Sequence, residues 1–68
     1  MNNVCTEIYR TIVTRAEQKM KTRLVKVPPH LYQHISDDEI QWLKNVCGAM
    51  VVESKNLTEP VFTATVSS

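Results

Sequence analysis

The chain has 68 residues, enough for one small domain, so we predict a single α+β domain spanning residues 1–68. One glycine is too few for a glycine-rich phosphate loop, and two cysteines are too few for a disulfide-stapled secreted scaffold. Residues 1–30 carry six Lys/Arg against two Glu, a charge of +4, whereas residues 31–68 carry two Lys against five acids, a charge of −3. This asymmetry indicates a polyanion-binding half or two mutually attractive faces, and we favour the second.

The first predicted element is a long helix over residues 3–22. Its apolar residues recur at helical spacing and cover one broad side: Val4, Cys5, Ile8, Tyr9, Ile12, Val13, Ala16 and Met20. This is more surface than one short second helix covers, so we expect a sheet or a second subunit to cover the rest.

The run KMKTRLVK at residues 19–26 is basic. It fits a solvated helix end, whose cations complement the negative end of the helix dipole. It also fits a surface that contacts phosphates or an acidic protein. The candidate phosphate-binding residues are Arg15, Lys19, Lys21, Arg23 and Lys26.

Residues 24–27 (LVKV) precede two prolines, which favours a short extended segment. Pro28 lacks a backbone N–H, so it either places this strand at a sheet edge or ends it. Residues 30–34 then fit one helical turn with Pro29 at its first position.

A second helix is predicted over residues 37–47 from signals at both ends. Ser36 and Glu39 have the spacing of a capping box, and the first turn is acidic, as the helix dipole favours. Gly48 follows the last turn, where a left-handed residue ends many helices.

Trp42 lies at the margin of the apolar stripe of this second helix. Its ring either folds over the rim of the core or onto the following hairpin, or it forms a partly exposed anchor for a partner, since Trp is enriched among interface hot spots. We name Trp42 and Tyr9 as candidate partner-binding residues.

After Gly48 the apolar period changes to two, which predicts strands near residues 50–53 and 61–66. Joined by the loop SKNLTEP, they are expected to form a C-terminal β-hairpin within a two- or three-stranded antiparallel sheet. The last strand carries no charge, so its edge is expected to pair with a second subunit or a partner. Its expected inward residues are Phe62, Ala64 and Val66; its candidate partner-binding residues are Val61, Thr63 and Thr65.

The residues that could carry chemistry do not form a recognisable site. His30 and His34 do not complete a zinc site, which needs four ligands or three and a water. Cys5 and Cys47 fall on apolar stripes, where cysteine behaves as a small hydrophobe. We therefore expect no catalytic residues, no metal and no cofactor.

The order of the elements can be laid onto the winged-helix topology, with SKNLTEP as the wing. The recognition helix would then be residues 37–47, whose first residues Asp37, Asp38 and Glu39 would be repelled by phosphate. The resemblance is one of topology, and it implies a nucleic-acid-binding regulator only as an alternative.

The leading expectation is a small non-enzymatic regulatory or adaptor protein that acts through protein–protein binding, as a homodimer and with an unidentified protein. The alternative is a winged-helix-like nucleic-acid-binding regulator that uses the basic patch at 15–26. No apolar run approaches the roughly 20 residues that cross a bilayer, and the N-terminus lacks the features of a signal peptide. We expect a cytoplasmic chain without a membrane partner.

Overall fold

Helices on one side of a small mixed sheet make up the part of the chain that the structure describes, residues 3–64. In this computed structural model the elements are α1 (Asn3–Glu17), β1 (Leu24–Val27), α2 (Pro29–Tyr32), α3 (Asp37–Cys47), β2 (Met50–Glu53) and β3 (Val61–Thr63). The predicted α+β class, with a long N-terminal helix and a later capped helix, is confirmed.

Helix α1 ends at Glu17, five residues before the predicted end. Lys19 adopts a left-handed φ of 64°. The Met20 N–H donates to the Arg15 carbonyl at 2.8 Å, and the Lys19 N–H donates to the Ala16 carbonyl at 2.9 Å. These two bonds form a Schellman turn with lysine in the position that glycine usually occupies, and the turn redirects the chain toward β1.

Both ends of α3 follow the sequence signals. The Glu39 N–H donates to the Ser36 hydroxyl at 3.2 Å, and the Ser36 N–H donates to the Glu39 carboxylate at 2.9 Å. Gly48 has a left-handed φ of 69°, and its N–H donates to the Lys44 carbonyl. Leu43 is fully buried between these ends, so α3 is fixed both by its caps and by the core.

The sheet pairs differently from the prediction. Its strand order is β2-β1-β3, with β1 parallel to β2 and antiparallel to β3. The predicted C-terminal hairpin and the fully antiparallel sheet are therefore wrong, because β2 and β3 lie on opposite sides of β1. The wing of a winged helix would require β2 and β3 to pair with each other, so the pairing does not follow that topology.

Burial explains why β1 takes the central position. Val25 and Val27 are both fully buried, and a strand flanked on both sides hides such residues best. Pro28, also fully buried, ends this central strand rather than marking an edge. The segment 28–49, with α2 and α3, is long enough to carry the chain back so that β2 runs parallel to β1.

The two faces of the sheet have different roles. Val25 lies beside Val51 on one side and Phe62 on the other, and this inner row packs with α1 and α3. The core comprises Cys5, Ile8, Ile12, Val25, Val27, Ile35, Leu43, Ala49 and Val51. Strand alternation turns Lys26, Val52, Val61 and Thr63 toward the outer face. Leu24 and Met50 share their parity, but Leu24 is buried, and Met50, the first residue of β2, lines a groove with Ile12 and Cys47.

The described helices are too short and too polar to cross a bilayer.

Candidate protein-binding face

Exposed apolar side chains are grouped on one side of the molecule. Within residues 3–64 the large hydrophobic side chains that remain exposed are Val13 (38%), Met20 (42%), Val46 (53%), Met50 (42%) and Val61 (38%). All but Val61 line two adjoining grooves between α1 and α3. We call this surface the α1–α3 face and define it by Val13, Ala16, Met20, Val46, Cys47 and Met50.

The two grooves share a floor made by Ile12, Ala16 and Cys47. The Met20–Met50 groove has a volume of about 390 Å³ and runs from the exit of α1 to the start of β2. The Val13–Val46 groove has a volume of about 470 Å³ and lies on the outward side of the two helices. This is the part of the broad apolar side of α1 that α3 does not reach.

Charge is distributed unequally between the two grooves. Lys21, Arg23 and Lys44 line the Met20–Met50 groove, and none of its lining residues is acidic. Glu17 is the charged residue that lines the Val13–Val46 groove. The face therefore has a positive end and an end that is nearly all apolar.

Four of the five basic residues expected to contact phosphate lie at or beside the Met20–Met50 groove. Lys21 and Arg23 line the Met20–Met50 groove, while the Arg15 Nε donates to the Thr22 hydroxyl at 2.9 Å. Lys19, which ends α1, lines an adjoining pocket with Met20 and Lys21, whereas Lys26 lies on the outer face of the sheet between Val52 and Val61. Sequence reasoning did not include Lys44 in this set, because its place at the groove depends on how α3 packs beside α1.

Tyr9 and Trp42 contact each other, with ring centroids 5.2 Å apart and ring planes tilted by 49°. Both side chains are half-buried and pack against the core. Tyr9 also lines the Val13–Val46 groove, whereas Trp42 lines neither groove. The geometry matches the first interpretation of Trp42, a ring folded over the rim of the core.

The candidates from the last strand lie on a different surface. Val61 and Thr63 are on the outer face of the sheet, and Thr65 lies outside the described residues. Because Tyr9 and Trp42 belong to the helical side, the structure does not bring the predicted partner-binding residues together into one site. The α1–α3 face instead adds Met20, Met50 and Val46, which sequence reasoning had not selected.

The thiols are poorly suited to nucleophilic chemistry. Burial raises the pKa of Cys47 above its ordinary value of 9.0. Burial, followed by the nearby Glu39 carboxylate, also raises the pKa of Cys5. Both side chains are therefore neutral thiols at physiological pH. Among residues 3–64, His, Cys, Asp and Glu form no group of three or more that could hold a metal ion.

Comparisons of the chain with protein-family models, curated proteins and solved structures find no match.

Proposed function

We propose that this chain is a small non-enzymatic regulatory or adaptor protein that binds an apolar segment of another protein on the α1–α3 face. The observation that carries the proposal is the grouping of Val13, Met20, Val46 and Met50 on two adjoining grooves. Scattered single hydrophobic residues are normal on a protein surface, but a contiguous group commonly marks an interaction site.

The free energy gained by covering these four side chains indicates how much further interaction a partner must provide. Fully burying a Val or Met side chain contributes about 1.5–3 kcal/mol, and roughly half of each of the four remains exposed, so together they contribute about 3–6 kcal/mol. Association costs about 4–15 kcal/mol in lost freedom. Apolar contact alone therefore gives weak binding, and a specific partner must add polar or charged contacts.

The test compares two variants of α3 with the same change in charge. Val46→Lys places an ammonium on the apolar face, and a cation near the end of α3 is compatible with the helix dipole. Asn45→Lys makes the same change at an exposed neighbouring position that lines neither groove. Each chain is immobilised and used to capture proteins from an extract of the source organism, and the affinity of the captured protein is then measured by calorimetry.

We expect a protein that binds the wild type and Asn45→Lys equally and binds Val46→Lys at least tenfold more weakly. Equal affinity for all three chains, or no captured protein, would refute the proposal.

The proposal includes a homodimer that forms through β3. This strand bonds to β1 on one side, and no strand within residues 3–64 occupies its other side. Val61, Phe62 and Thr63 carry no charge to discourage pairing. Two β3 strands that pair antiparallel about a two-fold axis would join the two sheets into one.

Sedimentation equilibrium tests the dimer with two substitutions of Val61. Val61→Glu places a carboxylate opposite Lys26 across the β1–β3 pair, so it is compatible with the fold of the monomer. In a dimer it places two carboxylates at the edge where the two β3 strands meet, which opposes pairing. Val61→Thr keeps a β-branched, uncharged side chain. We expect dimers for the wild type and Val61→Thr and a monomer for Val61→Glu. A wild type that remains monomeric at a protein concentration of about 100 µM would refute this part of the proposal.

The cytoplasmic location is likewise proposed. It is supported by Cys5 and Cys47, which are not joined in a disulfide.

A further inference from the structure

We infer that the Met20–Met50 groove selects an acidic amphipathic segment of the partner. An apolar side chain of that segment enters the groove, and flanking Asp or Glu carboxylates contact Lys21, Arg23 and Lys44. The inference rests on the proposed function, because it names the chemistry of the partner that binds the α1–α3 face.

The walls of the groove suit an apolar side chain of variable shape. Its floor is Ile12, Ala16 and Cys47, and the thioether side chains of Met20 and Met50 stand at its sides. Methionine is flexible and polarisable, and it is frequent on surfaces that accept different apolar partners. Both methionines are 42% exposed, so each has surface that a partner could cover.

The charge at this groove is not neutralised by acids of its own lining. Three cations line it without an acidic residue, and they come from two separate parts of the fold, the α1–β1 connection and α3. The acidic first turn of α3 lies five to seven residues before Lys44, about 8–11 Å along the helix axis at 1.5 Å per residue. That distance is comparable to the Debye length of about 8 Å at physiological ionic strength, so those acids are partly screened from the groove and do not line it.

The same geometry favours a peptide over a nucleic acid. Surfaces that bind single strands combine a track of cations with aromatic rings on which bases stack. None of the residues that line this groove is aromatic. Lys26, on the outer face of the sheet, does not extend the row of cations. A short apolar groove with a compact positive rim matches a carboxylate-flanked apolar side chain.

The experiment measures the anisotropy of three labelled helical peptides at low and high salt. The first peptide carries Leu at i and i+4 with Glu at the flanking positions. The second replaces each Glu by Lys, and the third keeps the Glu residues and replaces each Leu by Ser. We expect the first peptide to bind at least tenfold more tightly than either control, and its affinity to fall as salt is raised.

Charge reversal in the groove should abolish this preference. The double variant Lys21→Glu/Arg23→Glu should bind the first peptide at least tenfold more weakly than the wild type. Lys55→Glu, an exposed position outside the groove, should change the affinity less than twofold. Far-UV circular dichroism and the fluorescence of Trp42 verify that each variant is folded.

Three outcomes overturn the inference: equal binding of the acidic and basic peptides, no binding of the first peptide, or tighter binding of a single-stranded or duplex oligonucleotide through Lys21 and Arg23. The proposed function is tested separately. If Val46→Lys loses the natural partner while Lys21→Glu/Arg23→Glu retains it, the proposed function stands and this inference fails. If both variants retain the partner, both fail.

Discussion

The contact between Tyr9 and Trp42 should contribute measurably to the packing of α1 against α3. The perturbation is the replacement of each ring by leucine, singly and together. Leucine keeps the apolar character and helix propensity of each position, so what is lost is the interaction between the rings. The centroid distance of 5.2 Å and the tilt of 49° fall within the range of favourable aromatic pairs.

The expected coupling energy follows from this geometry. Aromatic pairs contribute about 0.5–1.5 kcal/mol beyond the area that they bury, and both rings are half-buried, so we expect about 1 kcal/mol. A chain of 68 residues has a total stability of about 3–10 kcal/mol. One such pair is therefore a substantial fraction of the stability, equivalent to about 4–8 °C in Tm.

The assay is a double-mutant cycle of urea unfolding. Far-UV circular dichroism must report the transition, because Trp42 is the only tryptophan and its fluorescence is lost in two of the four chains. The four transitions should share one m-value, so that differences in midpoint report stability.

A coupling energy below about 0.3 kcal/mol, within the error of additivity, would refute the reasoning. In that case the ring of Trp42 would not be held by Tyr9, and it would be available as an anchor for a partner.

Four further substitutions and conditions test the local structure by urea unfolding. Ser36→Ala should lower the free energy of unfolding by about 1 kcal/mol because the cap is lost, whereas Ser36→Thr keeps the hydroxyl and should lower it much less. Equal losses for the two variants would contradict the capping box. Gly48→Ala should lower the free energy of unfolding by about 1 kcal/mol. The cost comes from the left-handed φ of this position and not from a clash, since an added Cβ meets no atom within 4 Å. Lys19→Gly should instead raise the stability by about 0.5–1 kcal/mol, because glycine accepts the left-handed turn at the end of α1; a loss would contradict the Schellman geometry. Burial raises the pKa of Cys5, so the thiol of the unfolded chain ionises at a lower pH than the folded one, and the free energy of unfolding falls as the pH rises above 9.0. The difference in this free energy between the wild type and Cys5→Ala should therefore narrow between about pH 8 and pH 10. A difference that stays constant would contradict the burial of the thiol.

The sequence was most informative where structure is decided locally. Helix α3 could be predicted from end to end because Ser36, Glu39 and Gly48 satisfy backbone groups within a few residues of themselves. The end of α1 was missed for a local reason too. Its Schellman turn uses Lys19 in place of glycine, so the apolar pattern continued past the true end of the helix.

The pairing of the strands could not be predicted because it depends on distant residues. The alternation of apolar and polar residues predicted β2 and β3 as strands, but it did not indicate with which strand either of them pairs. One signal for the parallel β1–β2 pair was available in the sequence. The segment 28–49 is long enough for a crossover connection, and it follows a strand with two valines to bury. The α1–α3 face was foreseen only as excess apolar surface on α1, because the contribution of Val46 and Met50 depends on how α3 and β2 pack.

The central position of β1 has a consequence for how the chain acquires its structure. Residues 24–27 must meet both 50–53 and 61–63 before the sheet is complete. During synthesis, a nascent chain that ends before Val61 lacks the strand that covers one side of β1 and the Phe62 ring that packs against the core. The sheet is therefore completed only when nearly all of the described chain has left the ribosome, and deletion of 61–64 should lower the free energy of unfolding.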